Sequence, residues 1–478
     1  MPQQTQTNTG REEIASRLEA FGQGHVLRFW AALSGAERGR LAAQIADIDL
    51  PLVDRLVKTW VVGTPEPQKF TRIEPVDVLP VPSPDQPGAR EAFAAGEAAL
   101  RAGRVGLVLV AGGQGTRLGF PGPKGTFPIG PVTGRTLFQY HADRILYAQK
   151  KYGCVLPWYI MVGDTNEAAT RAYFRDNNYL GLDEQNVYFF TQAMMPSVDE
   201  SGRILLESTS SIAMNPNGHG GCIPALVDKG IIADARKRGI DTLSYFQVDN
   251  WAVNLADPHF IGYHVLGKGE FSSKAKRKTA PREATGVFCL CDDRVRVLEY
   301  TELDIYPQLL DTDAKGNLLH FAGNAAAHVL CVDFIERVYA NYDEFPWHCS
   351  YKKIAHVNER GERVQPEKPN GYKFETFVFD ALVYAQGRPI TLEIDRVAEF
   401  ALAKQMSGSG GVDEARANMN AYWGAWLRAA GCARPLNGVN IEISPVFAST
   451  AEEFVERAHG MKWPATGDIA ITADGRFA

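Results

Sequence analysis

A short apolar run that ends at a glycine-rich loop constrains this chain most. Val105-Gly106-Leu107-Val108-Leu109-Val110 carries no polar residue and is partly β-branched. Such a run suits a strand buried on both faces, as in a parallel sheet covered by helices. The loop that follows is Ala111-Gly112-Gly113-Gln114-Gly115-Thr116-Arg117-Leu118-Gly119. A tight turn from strand to helix needs one or two glycines, and this segment has four. Glycines let backbone N–H groups approach a phosphate without a Cβ in the way. Arg117 adds a planar cation, and Lys124 follows just downstream. The local chemistry therefore points to phosphate binding.

Two common nucleotide loops do not fit. The dinucleotide fingerprint needs Gly-x-Gly-x-x-Gly, and Gly113, Gly115 and Gly119 leave the last gap one residue too long. A P-loop needs Gly-Lys-Ser/Thr, whereas Lys124 stands between Pro123 and Gly125. A nicotinamide dehydrogenase and a P-loop hydrolase are both disfavoured.

Alternation continues beyond the loop. A helix is expected over Arg135–Lys150, with Leu137, His141 and Ile145 on one stripe and Phe138, Ala142 and Leu146 beside it. Strands follow at Trp158–Val162, Val187–Phe190 and Thr242–Val248, with helices at Asn166–Asn177 and Ala225–Arg238. Strands alternating with helices indicate βαβ units and a mostly parallel sheet.

Upstream, residues 1–10 read as a frayed tail, and Arg11 to about Leu56 as helical. Ser34-Gly35-Ala36-Glu37 has the form of a capping box for a helix through Ile45. Pro75, Pro80, Pro82, Pro84 and Pro87 mark an extended connector. A short helix over Arg90–Ala102 leads into the sheet. Near the other end, Ser407-Gly408-Ser409-Gly410-Gly411 reads as a linker before a helix at Asp413–Ala430. Three domains are expected in chain order: mainly helical with its connector over 1–100, central over 101–405, and α+β over 406–478.

Composition narrows the class. The chain has 478 residues, 45% of them apolar, enough for several domains with real cores. Its net charge of −6 argues against a dedicated nucleic-acid binder. Lys274-Ala275-Lys276-Arg277-Lys278 is the exception, and four cations in five residues read as a solvated loop. No apolar run is long enough to span a membrane, and the polar N-terminus lacks a secretory h-region. Seven cysteines without a Cys-x-x-Cys pair suggest reduced thiols and a cytoplasmic setting. His259 and His264 lack zinc-site spacing.

Ala111-Gly112-Gly113-Gln114-Gly115-Thr116-Arg117-Leu118-Gly119, then Pro123-Lys124-Gly125, resembles the eukaryotic-type UDP-N-acetylglucosamine pyrophosphorylases of the UDP-sugar pyrophosphorylase superfamily. Gln114 favours this branch over the UDP-glucose branch, which usually has Leu there. Further blocks follow in order: Pro157-Trp158-Tyr159-Ile160-Met161, Val248-Asp249-Asn250, Ala256-Asp257-Pro258 and Val297-Leu298-Glu299-Tyr300. Ala322-Gly323-Asn324, Lys368-Pro369-Asn370-Gly371-Tyr372-Lys373 and Glu442-Ile443-Ser444-Pro445 complete the series.

The resemblance implies an α/β fold: a Rossmann-like, GT-A-like nucleotidyltransferase domain on a mixed, mostly parallel sheet, flanked by smaller N- and C-terminal domains. It implies a uridylyltransferase in which a sugar 1-phosphate attacks the α-phosphate of UTP and pyrophosphate leaves, with magnesium present. N-acetylglucosamine 1-phosphate is the favoured acceptor, glucose or galactose 1-phosphate the alternative.

Residue roles follow from the same resemblance. Gly112, Gly113, Gln114 and Gly115 line the UTP site, and Arg117 and Lys124 neutralise the reacting phosphates. Asp249 follows a strand, where α/β sheets gather ligands, and its hard carboxylate suits magnesium. Gln192 offers a donor and an acceptor to the uracil edge, with Gly218 supplying backbone. Glu299, Tyr300 and Asn324 hold the sugar. Lys373 and Lys404 are directed at phosphates, Lys404 arriving only when the C-terminal segment closes. His219 stands where the family pattern has Asn, a feature that resembles the UDP-glucose and broad-specificity branches.

Overall fold

The computed structural model describes residues 2–63, 65–408 and 410–478, with residues 2–10 described by their backbone. Met1 of the expected tail and Ser409 of the expected linker lie outside the described residues. The chain forms two compact units. The first gathers Met1–Lys69, Ala193–Gly221 and Asp343–Asp380, and the second Phe70–Gln192, Cys222–Tyr342 and Ala381–Ala478. This partition interleaves distant segments, whereas a division in chain order cuts at 100 and 405.

In the first unit, helices α1 (Pro2–Glu19), α2 (Gly35–Asp47) and α3 (Leu50–Leu56) come first. The backbone is helical from Pro2 instead of frayed; a proline fits the first turn, where its missing N–H has no partner to lose. The capping box forms as read: Ser34 N donates to Glu37 Oε2 at 2.8 Å, and Glu37 N donates to Ser34 Oγ at 3.4 Å. Leu18, Leu41, Ile45 and Val53 bury against Val198, Ile212 and Phe374, so the later segments complete this core.

The second unit is built on a mixed sheet. Its strands among the described residues are β1 (Ile73–Pro75), β2 (Val105–Val110), β3 (Trp158–Val162), β4 (Val187–Thr191) and β5 (Thr242–Gln247). Then come β6 (Phe271–Arg277), β7 (Val287–Cys291), β8 (Arg294–Leu298), β9 (Ala322–Cys331) and β10 (Thr391–Glu393). The main order is β1-β7-β9-β5-β2-β3-β4, with β6 on β9 and β10, and β8 on β7. The four strands β5-β2-β3-β4 are parallel, whereas β9 runs antiparallel to β5 and β6. The structure is thus a mixed α/β fold with a parallel centre.

Helices α4 (Ala89–Arg101), α5 (Leu137–Tyr152), α6 (Glu167–Asp176), α7 (Cys222–Asp228), α8 (Ile231–Lys237) and α9 (Pro258–Leu266) accompany these strands. Leu137, Phe138, His141, Ala142 and Ile145 are all fully buried, so the α5 stripe packs as its periodicity requires. The single helix expected over 225–238 is two: Gly230, at φ +75, ends α7 and starts α8. Helices α4 and α9 cross with backbones nearly touching, since a Cβ on Gly96 would lie 1.9 Å from Pro258 O and one on Gly262 1.6 Å from Ala92 O. Only glycine permits that approach.

The basic run is not a solvated loop. It forms most of β6, and Lys274, Lys276 and Lys278 are 1%, 2% and 6% exposed. Long aliphatic stems pack inward; Asp257 and Glu399 meet the Lys274 ammonium, Glu283 meets that of Lys276, and the Pro281 carbonyl accepts from Lys278. The run itself holds none of those partners, so local charge density misleads.

Helix α10 (Val412–Ala429) and the paired strands Ile441–Ile443 and Ile469–Ile471 share the core around β2 and α5, where Trp423 lies beside Tyr140 and Trp251. Among the described residues no helix is long and apolar enough to cross a membrane.

Candidate active site

Parallel register sets the site. Val110 of β2 pairs with Gln247 of β5 and with Met161 of β3, and Val162 pairs with Thr191 of β4. The loops leaving these strands at their carboxyl ends therefore emerge together, the position where α/β sheets bind ligands.

The glycine loop is shaped from inside. Asn166 is fully buried at the start of α6; its Nδ2 donates to Ala111 O at 3.0 Å and Gly113 O at 3.1 Å, and its Oδ1 accepts from Gly163 N at 2.9 Å. Lys124 N also donates to Gly113 O, at 3.1 Å, and Gly115 N to Gly122 O, at 2.9 Å. Gln114 Nε2 donates to Thr165 O at 3.1 Å. A Cβ on Gly112 would stand 3.0 Å from Gln192 Oε1, so the missing side chain sets the spacing between the loop and the buried Gln192 amide. Gly113 faces open space.

Lys124 and Asp249 meet across this end of the sheet, Nζ to Oδ2 at 3.2 Å, with side chains 15% and 11% exposed. Burial opposes the charge on Asp249, yet the Lys124 and Lys404 ammonium groups hold its carboxyl below the ordinary range. Beneath it the imidazole of His141 is buried, its Nε2 donating to Val248 O at 3.2 Å, and burial pushes its pKa down to about 4.

Lys404 needs no closing motion to arrive. Ala403 N donates to Asp249 O at 2.9 Å, Ala401 N to Asn250 Oδ1 at 3.0 Å, and Asn250 Nδ2 to Glu399 O at 2.8 Å. These bonds pin residues 399–403 beside Asp249 and carry Lys404 with them. The expectation of late arrival came from its place near a linker in sequence, and backbone pairing overrides that.

Arg117, Asp249, Lys404, Tyr300 and Asn324 all line one cavity of about 370 Å³. That size is in the range of small-molecule sites. Asn324 lies where β9 slips register against β6, next to Ala326 at φ +55, and its Oδ1 accepts from Ala326 N at 2.8 Å. Glu299 sits one residue behind Tyr300 and caps the turn Tyr300–Glu302 instead of lining the cavity. Gly218, His219 and Lys373 belong to the first unit. There Val378 N donates to His219 Nδ1 at 3.1 Å, and the imidazole stacks on Phe377 with centroids 5.2 Å apart. Lys373 is half-buried in the strand Gly371–Glu375, and burial lowers its pKa.

Sequence reasoning missed several cavity residues. Lys276, Glu283 and Arg396 form a charged cluster on its wall. Alternate lysines in a short run between two turns were the available signal for a strand with one charged, inward face.

The family model described as UTP--glucose-1-phosphate uridylyltransferase matches residues 76–407. The human UDP-N-acetylhexosamine pyrophosphorylase-like protein 1 is 34% identical over 82% of this chain and 80% of its own length. The UDP-N-acetylglucosamine diphosphorylase 2 of Arabidopsis thaliana is 31% identical over 97% of this chain and 95% of its own. The crystal structure of the uridine diphosphate N-acetylglucosamine pyrophosphorylase of Trypanosoma brucei superposes with a TM-score of 0.79 at 25% identity, covering 94% of this chain and 96% of that one. The matched span, the full-length relatives and the shared fold establish that the chain belongs to the UTP--glucose-1-phosphate uridylyltransferase family, beside the UDP-N-acetylglucosamine pyrophosphorylases.

Proposed function

We propose that the chain is a uridylyltransferase that makes UDP-N-acetylglucosamine and pyrophosphate from UTP and N-acetylglucosamine 1-phosphate. The observation that carries this reading is the Lys124–Asp249 pair beyond the carboxyl ends of β2 and β5, with Asp249 lining a cavity that Arg117 and Lys404 also line. An oxygen of the sugar phosphate forms a bond to the α-phosphorus of UTP. The bond from that phosphorus to the β-phosphate bridging oxygen breaks, and its electrons leave with pyrophosphate. The attacking phosphate is already ionised at neutral pH, so the site needs positioning and charge neutralisation more than a general base.

Gly112, Gly113 and Gly115 present backbone to the UTP phosphates, Gln114 holds the loop to Thr165, and Gln192 reads uracil. Arg117 and Lys124 neutralise charge on the α-phosphate and departing pyrophosphate, and Lys404 the incoming sugar phosphate. Tyr300 and Asn324 contact the sugar, with Glu299 fixing the turn beneath them. Roles for Gly218 and His219 toward the uridine and for Lys373 toward phosphate rest on the family resemblance. The Rossmann-like, GT-A-like layout and a cytoplasmic setting belong to the same reading.

The donor set fits magnesium. Asp249 is an ionised oxygen donor on the cavity wall. Among the described residues no group of three or more His, Cys, Asp or Glu side chains could hold a metal. An ion at Asp249 would take its other ligands from phosphates and water, as magnesium commonly does. Its chemistry there is neutralisation of phosphate charge.

Relatives named for N-acetylglucosamine or N-acetylhexosamine cover most of the chain, which favours the N-acetylated acceptor over glucose 1-phosphate. The test is pyrophosphate release from UTP and magnesium with N-acetylglucosamine, N-acetylgalactosamine, glucose and galactose 1-phosphates. Release chiefly with N-acetylglucosamine 1-phosphate is expected. Release chiefly with glucose or galactose 1-phosphate would overturn the acceptor, and none with any would overturn the activity.

A further inference from the structure

The cavity wall holds charges that the reaction above does not use. Lys276 reaches the cavity from β6, 2% exposed, with its ammonium 4.7 Å from the centre of the Phe400 ring. Its ammonium donates to Glu283 Oε1. The same carboxylate accepts from Arg396 Nη1 at 2.8 and 3.1 Å, and from Thr279 N at 2.9 Å. One carboxylate thus serves two cations and a backbone donor.

Charge counting decides what such a wall can hold. Lys276 and Arg396 bring two positive charges against Glu283, and over the whole lining Arg117, Lys276, Arg396 and Lys404 stand against Asp249, Glu283 and Glu414, an excess of one positive charge. Burial weakens the ammonium further, and neighbouring Arg396 and Lys404 add to this against the pull of Glu283, so the pKa of Lys276 falls to about 8. An apolar or purely hydroxylated ligand would leave this excess charge desolvated, which is costly. An anionic oxygen would relieve it.

We propose that Lys276, steadied by Glu283 and Arg396, is an anion-contacting residue for the acceptor, taking an anionic oxygen of the sugar 1-phosphate. This rests on the proposed sugar-phosphate reaction and adds a subsite to it. Two parts of an acceptor could supply that oxygen: the 1-phosphate common to all acceptors, or a carboxylate on the ring. Glu283 and Arg396 act through Lys276 as positioning residues.

The test is steady-state kinetics of the wild type, Lys276→Met and Lys276→Arg with UTP, magnesium and three acceptors: N-acetylglucosamine, glucose and glucuronic acid 1-phosphates. Loss of a hydrogen bond to a charged group predicts a rise in acceptor KM of about tenfold or more in Lys276→Met. The KM for UTP should stay within about twofold, a split that a merely structural role would not produce. Lys276→Arg should recover most of the loss. A rise for all three acceptors identifies the 1-phosphate, and a rise for glucuronic acid 1-phosphate alone identifies a ring carboxylate. Unchanged acceptor KM, or equal rises for acceptor and UTP, overturns the proposal. Where Lys276→Met does not fold, Lys276→Gln keeps a donor toward Glu283 without the charge and gives the same readout. Wild-type turnover tests the underlying activity separately. Should it be absent, calorimetry with UDP-N-acetylglucosamine, UDP-glucuronic acid and UMP still decides, because UMP lacks the phosphate that comes from the acceptor: Lys276→Met must lose preference for at least one sugar nucleotide over UMP, and an unchanged preference for both overturns the subsite.

Discussion

Two lysine–carboxylate clusters in the second unit use the same groups for different purposes. Lys124, its side chain 15% exposed, faces one partner, Asp249, at 3.2 Å, and Asp249 lines the cavity. Lys274, 1% exposed, is held by two, Asp257 Oδ2 at 2.8 Å and Glu399 Oε2 at 2.5 Å, and also donates to Asn254 O at 3.3 Å. Burial works against every charge in that second cluster. The Lys274 ammonium nevertheless holds Asp257 down, while burial and the neighbouring carboxylate push Glu399 up. Saturated ammonium groups fix structure; a partly exposed cation with one partner can exchange it for a ligand. The distinction lies in partner count and access, since the distances are similar.

Removing each lysine should separate these roles. The largest effect is expected from Lys274→Met, which leaves two carboxylates buried without their cation. Breaking such a cluster costs about 3–5 kcal/mol, read as a lower urea midpoint. A midpoint equal to the wild type would break the comparison.

Next in size, Lys124→Ala should lower turnover by about 100-fold or more, by analogy with the loss of a transition-state donor. Its urea midpoint should remain near the wild-type value. Stability loss with unaltered turnover would make Lys124 another structural lysine. Arg117→Lys should lower turnover by a smaller factor, about tenfold, because a point charge cannot replace the planar fork.

The smallest effect, taken per pH unit, tests two buried imidazoles of the scaffold. His141 and His264 are both buried, and burial lowers each pKa from 6.5 to about 4. Unfolding exposes them to protonation below 6.5. Stability from keeping them neutral is therefore full above pH 6.5 and lost as pH falls toward 4. The slope is at most about 1.4 kcal/mol per pH unit for each histidine. Chemical unfolding across that window should show it, and His141→Gln should remove its share. A flat profile would mean that both imidazoles stay solvated.

Where local chemistry agreed with the global fold, the sequence was readable. The run Val105–Val110, the stripe on α5 and the strand Trp158–Val162 each stand where their periodicity puts them. So does the glycine loop, because its dense glycines and adjacent cations serve one local purpose. Asn166 was visible as a helix start, but its two bonds to the loop were not. The basic run on β6 was misread because its counterions come from Asp257, Glu283 and Glu399, far off or on another element.

The sequence by itself determined the alternation of strands and helices, the glycine-rich and cationic character of residues 111–119 and the family. Those features reside in short windows, where periodicity and backbone freedom act directly. Only the tertiary structure decided that Lys404 lies beside Asp249, that Lys276 faces the cavity and that Glu299 caps a turn. It also decided that residues 193–221 and 343–380 join the first unit. Ion pairs, strand register and burial depend on segments far apart in the chain, and no local pattern records which of them meet.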